Sequence, residues 1–203
     1  MSSPKYIFFD VGNIFLTYDR VFDKVCFDFN IKKSDFEAVY DLYDRDANMG
    51  KIDISDVWKV LTDKLHLRDA VNYDFVNNWI SDYDRIDPIF DLVSSLSGKI
   101  DMGIISNYYR GFFEATTAQG FIPKVKFDPI IISAEVHLRK PDPEIFILAQ
   151  SKIKYQGDEV IFVDDKIENL ESASRTLGWQ TFLFDYQSPD LSVGKLKEIL
   201  NFR

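Results

Sequence analysis

Several chemistry-bearing side chains in this sequence stand directly behind, or a short loop beyond, an apolar run. Asp10 follows Tyr6-Ile7-Phe8-Phe9. Ser106 and Asn107 follow the run from Ile100 to Ile105. Lys140, within Arg139-Lys140-Pro141-Asp142, comes a short loop after the stretch from Pro129 to Ile132. Asp164 and Asp165 follow Val160-Ile161-Phe162-Val163. Taken singly each has an ordinary reading, as a turn former, a cap or loop punctuation. Together they make a set: one carboxylate, a hydroxyl beside an amide, one ammonium, and a carboxylate pair. That set suits phosphoryl transfer. A carboxylate nucleophile approaching a phosphate meets repulsion of about 4 kcal/mol at contact in a partly dry site. A divalent metal between Asp10 and an Asp from another strand offsets that cost and polarises the phosphoryl oxygen. An all-oxygen shell suits magnesium. Lys140 neutralises nucleophile and phosphate, and Ser106 and Asn107 supply neutral donors to phosphoryl oxygens. The covalent intermediate would be an aspartyl phosphate on Asp10.

The elements that must hold these groups follow from the change of period along the chain. The apolar runs are continuous rather than alternating, as in strands buried on both faces, and helical patterns separate them from residue 87 onward. Strands alternating with helices predict an α/β fold: a doubly wound parallel sheet covered on both sides. In such a sheet ligands bind beyond the carboxyl ends of the strands, where all these residues would converge. Between the first strand and the rest lies a block with helical period only. Ser34-Asp35-Phe36-Glu37 has capping-box form, Asp53 can cap a second helix, and Phe75, Val76, Trp79, Ile80 and Tyr83 form a further stripe. The organisation expected is a core of residues 1–17 plus 86–203, with a helical cap of residues 18–85 inserted as a lid. Tyr40, Tyr43 and Trp58 either line the pocket or pack the cap interior. Tyr18 and Asp19 either face the site or begin the hinge.

Composition bounds the function. The chain has 203 residues, 46% of them hydrophobic, and a net charge of −9. Such acidity disfavours nucleic acid and anionic membranes as partners. It also means that a site for phosphate must concentrate positive charge locally. Cys26 is the single cysteine, so no internal disulfide forms, and it reads as a buried thiol. Met1-Ser2-Ser3-Pro4-Lys5 ahead of a short apolar run reads as neither signal peptide nor span, which makes a cytoplasmic location the default expectation.

At these residues the chain resembles the haloacid dehalogenase (HAD) superfamily, and within it the phosphatases with a small helical cap. Phe8-Phe9-Asp10-Val11-Gly12-Asn13 resembles the first motif, Ile105-Ser106-Asn107 the second and Arg139-Lys140-Pro141-Asp142-Pro143 the third. Phe162-Val163-Asp164-Asp165 followed by Asn169 resembles the fourth. The wording is similar to bacterial sugar-1-phosphate phosphatases and to the phosphatase domain of soluble epoxide hydrolase. The resemblance implies a magnesium-dependent phosphatase for a small phosphorylated metabolite, as a monomer or weak homodimer. It implies Asp10 as nucleophile, and Asp10, the Gly12 carbonyl and Asp165 as metal ligands. Asp164 would orient its neighbours, and Ser106, Asn107 and Lys140 would bind phosphate. The second of the two aspartates is taken as ligand because the family's Gly-Asp pair aligns with Asp164-Asp165.

One departure bears on activity. Most phosphatases of the superfamily carry Asp two residues after the nucleophile as general acid and base; here that position is Gly12. Loss of such a group typically costs roughly 10²–10⁴ in rate. The alternative to an active phosphatase is therefore a catalytically impaired binding or scaffold protein. A haloacid dehalogenase is disfavoured by the Asp164-Asp165 pair, and a phosphomutase by Gly12. His137, before Arg139-Lys140-Pro141, reads as a loop histidine.

Overall fold

The protein is described by a computed structural model covering residues 3–68 and 70–202. Its strands and helices run in the order β1 (Tyr6–Phe9), β2 (Leu16–Thr17), α1 (Val21–Phe29), α2 (Lys33–Asn48), α3 (Ile54–Lys64), α4 (Phe75–Ser81), β3 (Asp84–Arg85) and α5 (Asp87–Leu96). They continue with β4 (Asp101–Ser106), α6 (Phe112–Ala118), β5 (Ile130–Ile132), α7 (Ser133–Val136), α8 (Pro143–Gln150), β6 (Val160–Asp164), α9 (Ile167–Leu177), β7 (Gln180–Leu183) and α10 (Pro189–Ile199). Five strands form one parallel sheet in the order β5-β4-β1-β6-β7. Strand β1 is therefore central, with Phe9 opposite Ile104 on one side and Val163 on the other.

The period-2 geometry of a strand divides the apolar runs between two cores. Tyr6 and Phe8 point to the face covered by α8 and α9, where Phe8 stacks on Trp179 at 5.2 Å and Phe146 meets Phe162. Ile7 and Phe9 point to the opposite face, joined by Ile161 and Val163 and by Leu92 and Leu196 of α5 and α10. Each buried aromatic or aliphatic side chain contributes on the order of 1.5–3 kcal/mol, so a polar substitution on either face would be felt. Gly103 in β4 leaves room for this packing: a Cβ there would lie 2.7 Å from both Phe8 Cε1 and the Pro129 carbonyl.

The chain leaves the sheet through β2 and returns through β3, which pair antiparallel, Leu16 with Arg85. Helices α1–α4 lie between them and share an aromatic interior. Trp58 stacks on Phe75 at 4.5 Å, and Trp79 packs edge-on against Phe22 and Phe75. Trp58 thus belongs to the interior of the helical insertion. Tyr40 belongs to both settings: it packs on Phe36 and Trp79 and also lines the cavity described below. Cys26 is buried.

Two helix starts differ from the sequence reading. Helix α2 begins at Lys33, so Ser34 falls inside its first turn and forms no capping box. Asp53 occupies the N-cap of α3 but makes no cap bond; its carboxylate pairs with Arg110 at 3.4 Å. The last helix, α10, starts at Pro189, whose fixed φ and missing N–H suit a first turn. Among the described residues no helix is long and apolar enough to cross a membrane.

Candidate active site

The carboxyl ends of β1, β4 and β6 meet at one edge of the sheet. Asp10 follows β1, held in register by its N–H to the Val163 carbonyl at 2.9 Å. Its own Oδ1 accepts from the Val11 N–H at 2.7 Å, which fixes the side-chain rotamer. The turn that follows is tight. Asn13 adopts φ +56°, donates its N–H to the Leu16 carbonyl, and reaches across with its amide to Asp165 Oδ2 at 2.9 Å.

Lys140 is the centre of charge. It is 1% exposed, and its Nζ lies 2.9 Å from Asp10 Oδ2 and 2.6 Å from Asp164 Oδ2, over the Phe162 ring. Burial alone would lower the Lys140 pKa, but the two carboxylates outweigh it and hold the ammonium above its ordinary value of 10.5. Asn107 keeps the lysine in place: its carboxamide accepts from the Lys140 N–H at 2.8 Å and donates to the Lys140 carbonyl at 2.9 Å. One amide hydrogen of Asn107 remains beyond this clamp.

The two aspartates after β6 differ. Asp164 is fully buried and saturated, accepting from the Lys166 N–H, the Asn169 amide and Lys140. Burial pushes its pKa up, to about 6, against the pull of Lys140; its donors keep it ionised at neutral pH. Asp165 is half-buried and accepts one bond, from Asn13, leaving its other oxygen available. Burial raises Asp165 too, with the Asn13 bond opposing. One oxygen from each of Asp10, Asp164 and Asp165 lies within 4.8 Å of the others. Three carboxylates facing one ammonium leave the cluster short of positive charge. The donors are all oxygen, so the residues present fit a hard divalent cation such as magnesium.

Ser106 ends β4 and is 1% exposed, yet its hydroxyl has no hydrogen-bond partner. A buried unpaired hydroxyl costs about 1–3 kcal/mol unless something fills its bonding capacity. It lines the same cavity as Asp10, Asn107, Lys140 and Asp165, so an anion there could accept from it. The buried Arg139 Nε is unpaired in the same way on the cavity wall.

That cavity, of about 420 Å³, is lined on one side by the helical insertion and stays partly open. From α2 come Glu37, Tyr40, Asp41 and Asp44. Sequence reasoning missed Asp44, whose Oδ1 takes three donors: Tyr109 at 2.5 Å, Asn48 at 2.8 Å and Tyr40 at 3.2 Å. Burial raises its pKa, and Arg139 opposes the rise. Nearby, Ser133 links the two layers by donating to the Asn48 carbonyl at 2.6 Å and accepting from the Tyr108 N–H. His137 sits on this seam as well: its Nδ1 bonds the Met49 carbonyl at 2.8 Å, away from the carboxylates. Only three-dimensional proximity could have singled out Asp44, because one Asp among several on an amphipathic helix carries no sequence signal.

Tyr18 faces the site. Its ring lies over Gly12 with part of its surface in solvent, 39% exposed, and the desolvation of the phenol, then the charges of Asp165 and Asp10, raise its pKa above the usual range. Asp19 lines the cavity rim and is exposed.

A family model described as "Haloacid dehalogenase-like hydrolase" matches residues 13–182. Among curated proteins, "Acyl-CoA dehydrogenase family member 10" of Mus musculus is 34% identical over 92 residues, 44% of this chain. The match spans only 8% of that much longer protein. A predicted HAD-like hydrolase from Porphyromonas gingivalis superposes over 100% of both chains with a TM-score of 0.78 at 18% identity. A HAD family enzyme from Bacteroides thetaiotaomicron, solved with magnesium and inorganic phosphate, superposes over 90% of this chain and 95% of its own, with a TM-score of 0.72 at 20% identity. At such identities the superpositions speak to the fold.

Proposed function

This chain belongs to the haloacid dehalogenase-like hydrolase family, and on that premise we propose that it is a magnesium-dependent phosphatase acting on a small phosphate monoester. The observation that carries the reading is the buried Lys140 bridging Asp10 and Asp164 beside the half-free Asp165. Asp10, Asp165 and the Gly12 carbonyl would hold the magnesium ion, which supplies positive charge to the phosphoryl oxygens when bound.

The chain's own residues do the rest. An Asp10 carboxylate oxygen attacks phosphorus, the bond from phosphorus to the leaving oxygen breaks, and the phosphoryl group rests on Asp10 as an acyl phosphate. Water then attacks that phosphorus, releasing inorganic phosphate and restoring the carboxylate. Lys140 offsets the charge of Asp10 through both steps. The unpaired Ser106 hydroxyl and the remaining Asn107 amide hydrogen donate to phosphoryl oxygens. Asp164, saturated by four hydrogen bonds, orients Lys140 and stiffens the loop that carries Asp165.

The cavity limits the substrate. Its volume of about 420 Å³ and the acidic wall of Glu37, Asp41 and Asp44 favour a small monophosphate, such as a sugar phosphate, over a polyanion. Carbon–halogen hydrolysis by the same nucleophile uses no divalent cation, and it would leave three clustered carboxylates with one lysine between them. The test is phosphate release from 4-nitrophenyl phosphate and a panel of sugar monophosphates, with magnesium or with EDTA, beside Asp10→Asn. Magnesium-dependent release lost in the variant is the expected result. A folded wild-type protein that releases nothing from any of them would overturn the reading.

A further inference from the structure

We infer that the hydroxyl of Tyr18 stands in for the side chain missing at position 12, donating a hydrogen bond to the oxygen that leaves phosphorus. The inference rests on the phosphatase reading and concerns the half of that reaction which Asp10 and Lys140 do not serve.

Gly12 is the starting point. Its backbone is outside the left-handed region, so the local conformation does not demand glycine. What a side chain there would meet is the ring of Tyr18, which would have to swing aside to admit it. A Cβ on residue 12 would lie 2.8 Å from Tyr18 Cε1, and 3.6 Å from both Cζ and the hydroxyl oxygen. The phenol ring therefore occupies the volume into which any side chain at position 12 would project, two residues beyond the nucleophile. It does so from β2's exit into the helical insertion, a separate piece of backbone. The hydroxyl has no partner among the described residues, while the ring lines the cavity with Asp10, Asn107 and Lys140. The other cavity-facing phenols are committed, Tyr108 to Thr116 and Tyr83, and Tyr109 and Tyr40 to Asp44, while the unpaired Ser106 hydroxyl belongs to the phosphoryl side of the site. An uncommitted phenol in the place of an acid is a donor waiting for an acceptor.

In the transfer step the electron pair of the breaking bond goes to the leaving oxygen, which carries negative charge as phosphorus moves to Asp10. A neutral phenol donates a hydrogen bond to that oxygen, and the product alcohol takes its proton from solvent. A hydrogen bond that strengthens as charge develops accelerates the step, though by less than full proton transfer from a carboxylic acid. The consequence is a graded preference. The contribution of Tyr18 grows with the charge on the leaving oxygen, so it is large for alkyl phosphates and small for nitrophenyl phosphate.

The experiment measures kcat/KM for wild type, Tyr18→Phe and Asp19→Asn across aryl and alkyl phosphates ordered by leaving-group pKa, at fixed magnesium. Tyr18→Phe keeps the ring over Gly12 and removes only the hydroxyl. The expected loss is about 10- to 100-fold on alkyl phosphates and less than about 3-fold on 4-nitrophenyl phosphate, steepening the leaving-group slope. A structural role would lower all substrates alike and leave the slope unchanged, and that result overturns the inference. So does a slope change confined to Asp19→Asn. A second arm uses the space argument. Gly12→Asp alone should lose activity by colliding with the Tyr18 ring, and Gly12→Asp with Tyr18→Ala should recover turnover of alkyl phosphates. Equal activity of the two would contradict the shared position. If wild type releases phosphate from none of the substrates, the phosphatase reading itself falls, and this inference with it.

Discussion

Replacing Lys140 by Met removes the one buried cation of the site while keeping most of its volume. In the wild type the ammonium is 1% exposed and contacts Asp10 at 2.9 Å and Asp164 at 2.6 Å. At an effective dielectric of 20 each contact is worth roughly 6 kcal/mol of attraction, much of it cancelled by desolvation of the ammonium. The variant keeps the desolvated carboxylates and loses the attraction. Their oxygens lie within 4.8 Å, so each like-charge pair adds repulsion of roughly 3.5 kcal/mol at that dielectric. The net expectation for Lys140→Met at pH 7.5 in EDTA is a loss of about 3–5 kcal/mol of unfolding free energy by urea titration. Its pH dependence carries a definite sign. Burial already raises the folded pKa of Asp164 to about 6, above the ordinary 3.8, and loss of Lys140 raises it further. A carboxyl raised in the folded state disfavours folding most above its folded pKa, and the penalty fades as pH falls through that value towards the unfolded one. The deficit should therefore shrink markedly between pH 7.5 and 5. Magnesium should restore part of it at pH 7.5. A deficit below about 1 kcal/mol, or one that is the same at pH 7.5 and 5, would refute this account of the site's electrostatics.

Ser106→Ala removes a buried hydroxyl with no partner, so the ligand-free protein should keep its stability or gain up to about 1–3 kcal/mol while kcat/KM falls about tenfold or more; a large destabilisation with unchanged turnover would show that the hydroxyl serves the fold. Asp44→Ala strands the donors of Tyr109, Tyr40 and Asn48, and should cost about 1–3 kcal/mol, with hydrogen exchange rising first in α2. Gly103→Ala forces a methyl against the Phe8 ring and the Pro129 carbonyl, and should lower the melting temperature by an amount equivalent to about 1–3 kcal/mol, with kcat unchanged in the remaining folded protein.

The fold was legible wherever burial was two-sided. Tyr6–Phe9 and Val160–Val163 read as strands because both faces of each are covered, which leaves no polar residue to break the run. The same logic placed Asp10, Ser106 and Asp164 at strand ends, where the apolar demand stops. What stayed hidden depended on partners distant in sequence. Asp53 sits at the N-cap of α3 without a cap bond and pairs with Arg110, and the carboxamide of Asn107 is spent mainly on the backbone of Lys140 rather than on solvent or ligand. Asp44 gains its setting from Tyr109, 65 residues away. Tyr18 was visible as a residue close behind Asp10, but only the path of β2 reveals that its ring fills the empty side of Gly12.

The central claim is that Asp10 becomes transiently phosphorylated, and borohydride trapping tests it most directly. Reduction of an acyl phosphate during turnover converts the aspartate to homoserine, which peptide mass spectrometry locates. The account predicts homoserine at Asp10, dependent on substrate and magnesium. Phosphate release by wild type without any reduction at Asp10, together with undiminished release by Asp10→Asn, would contradict it.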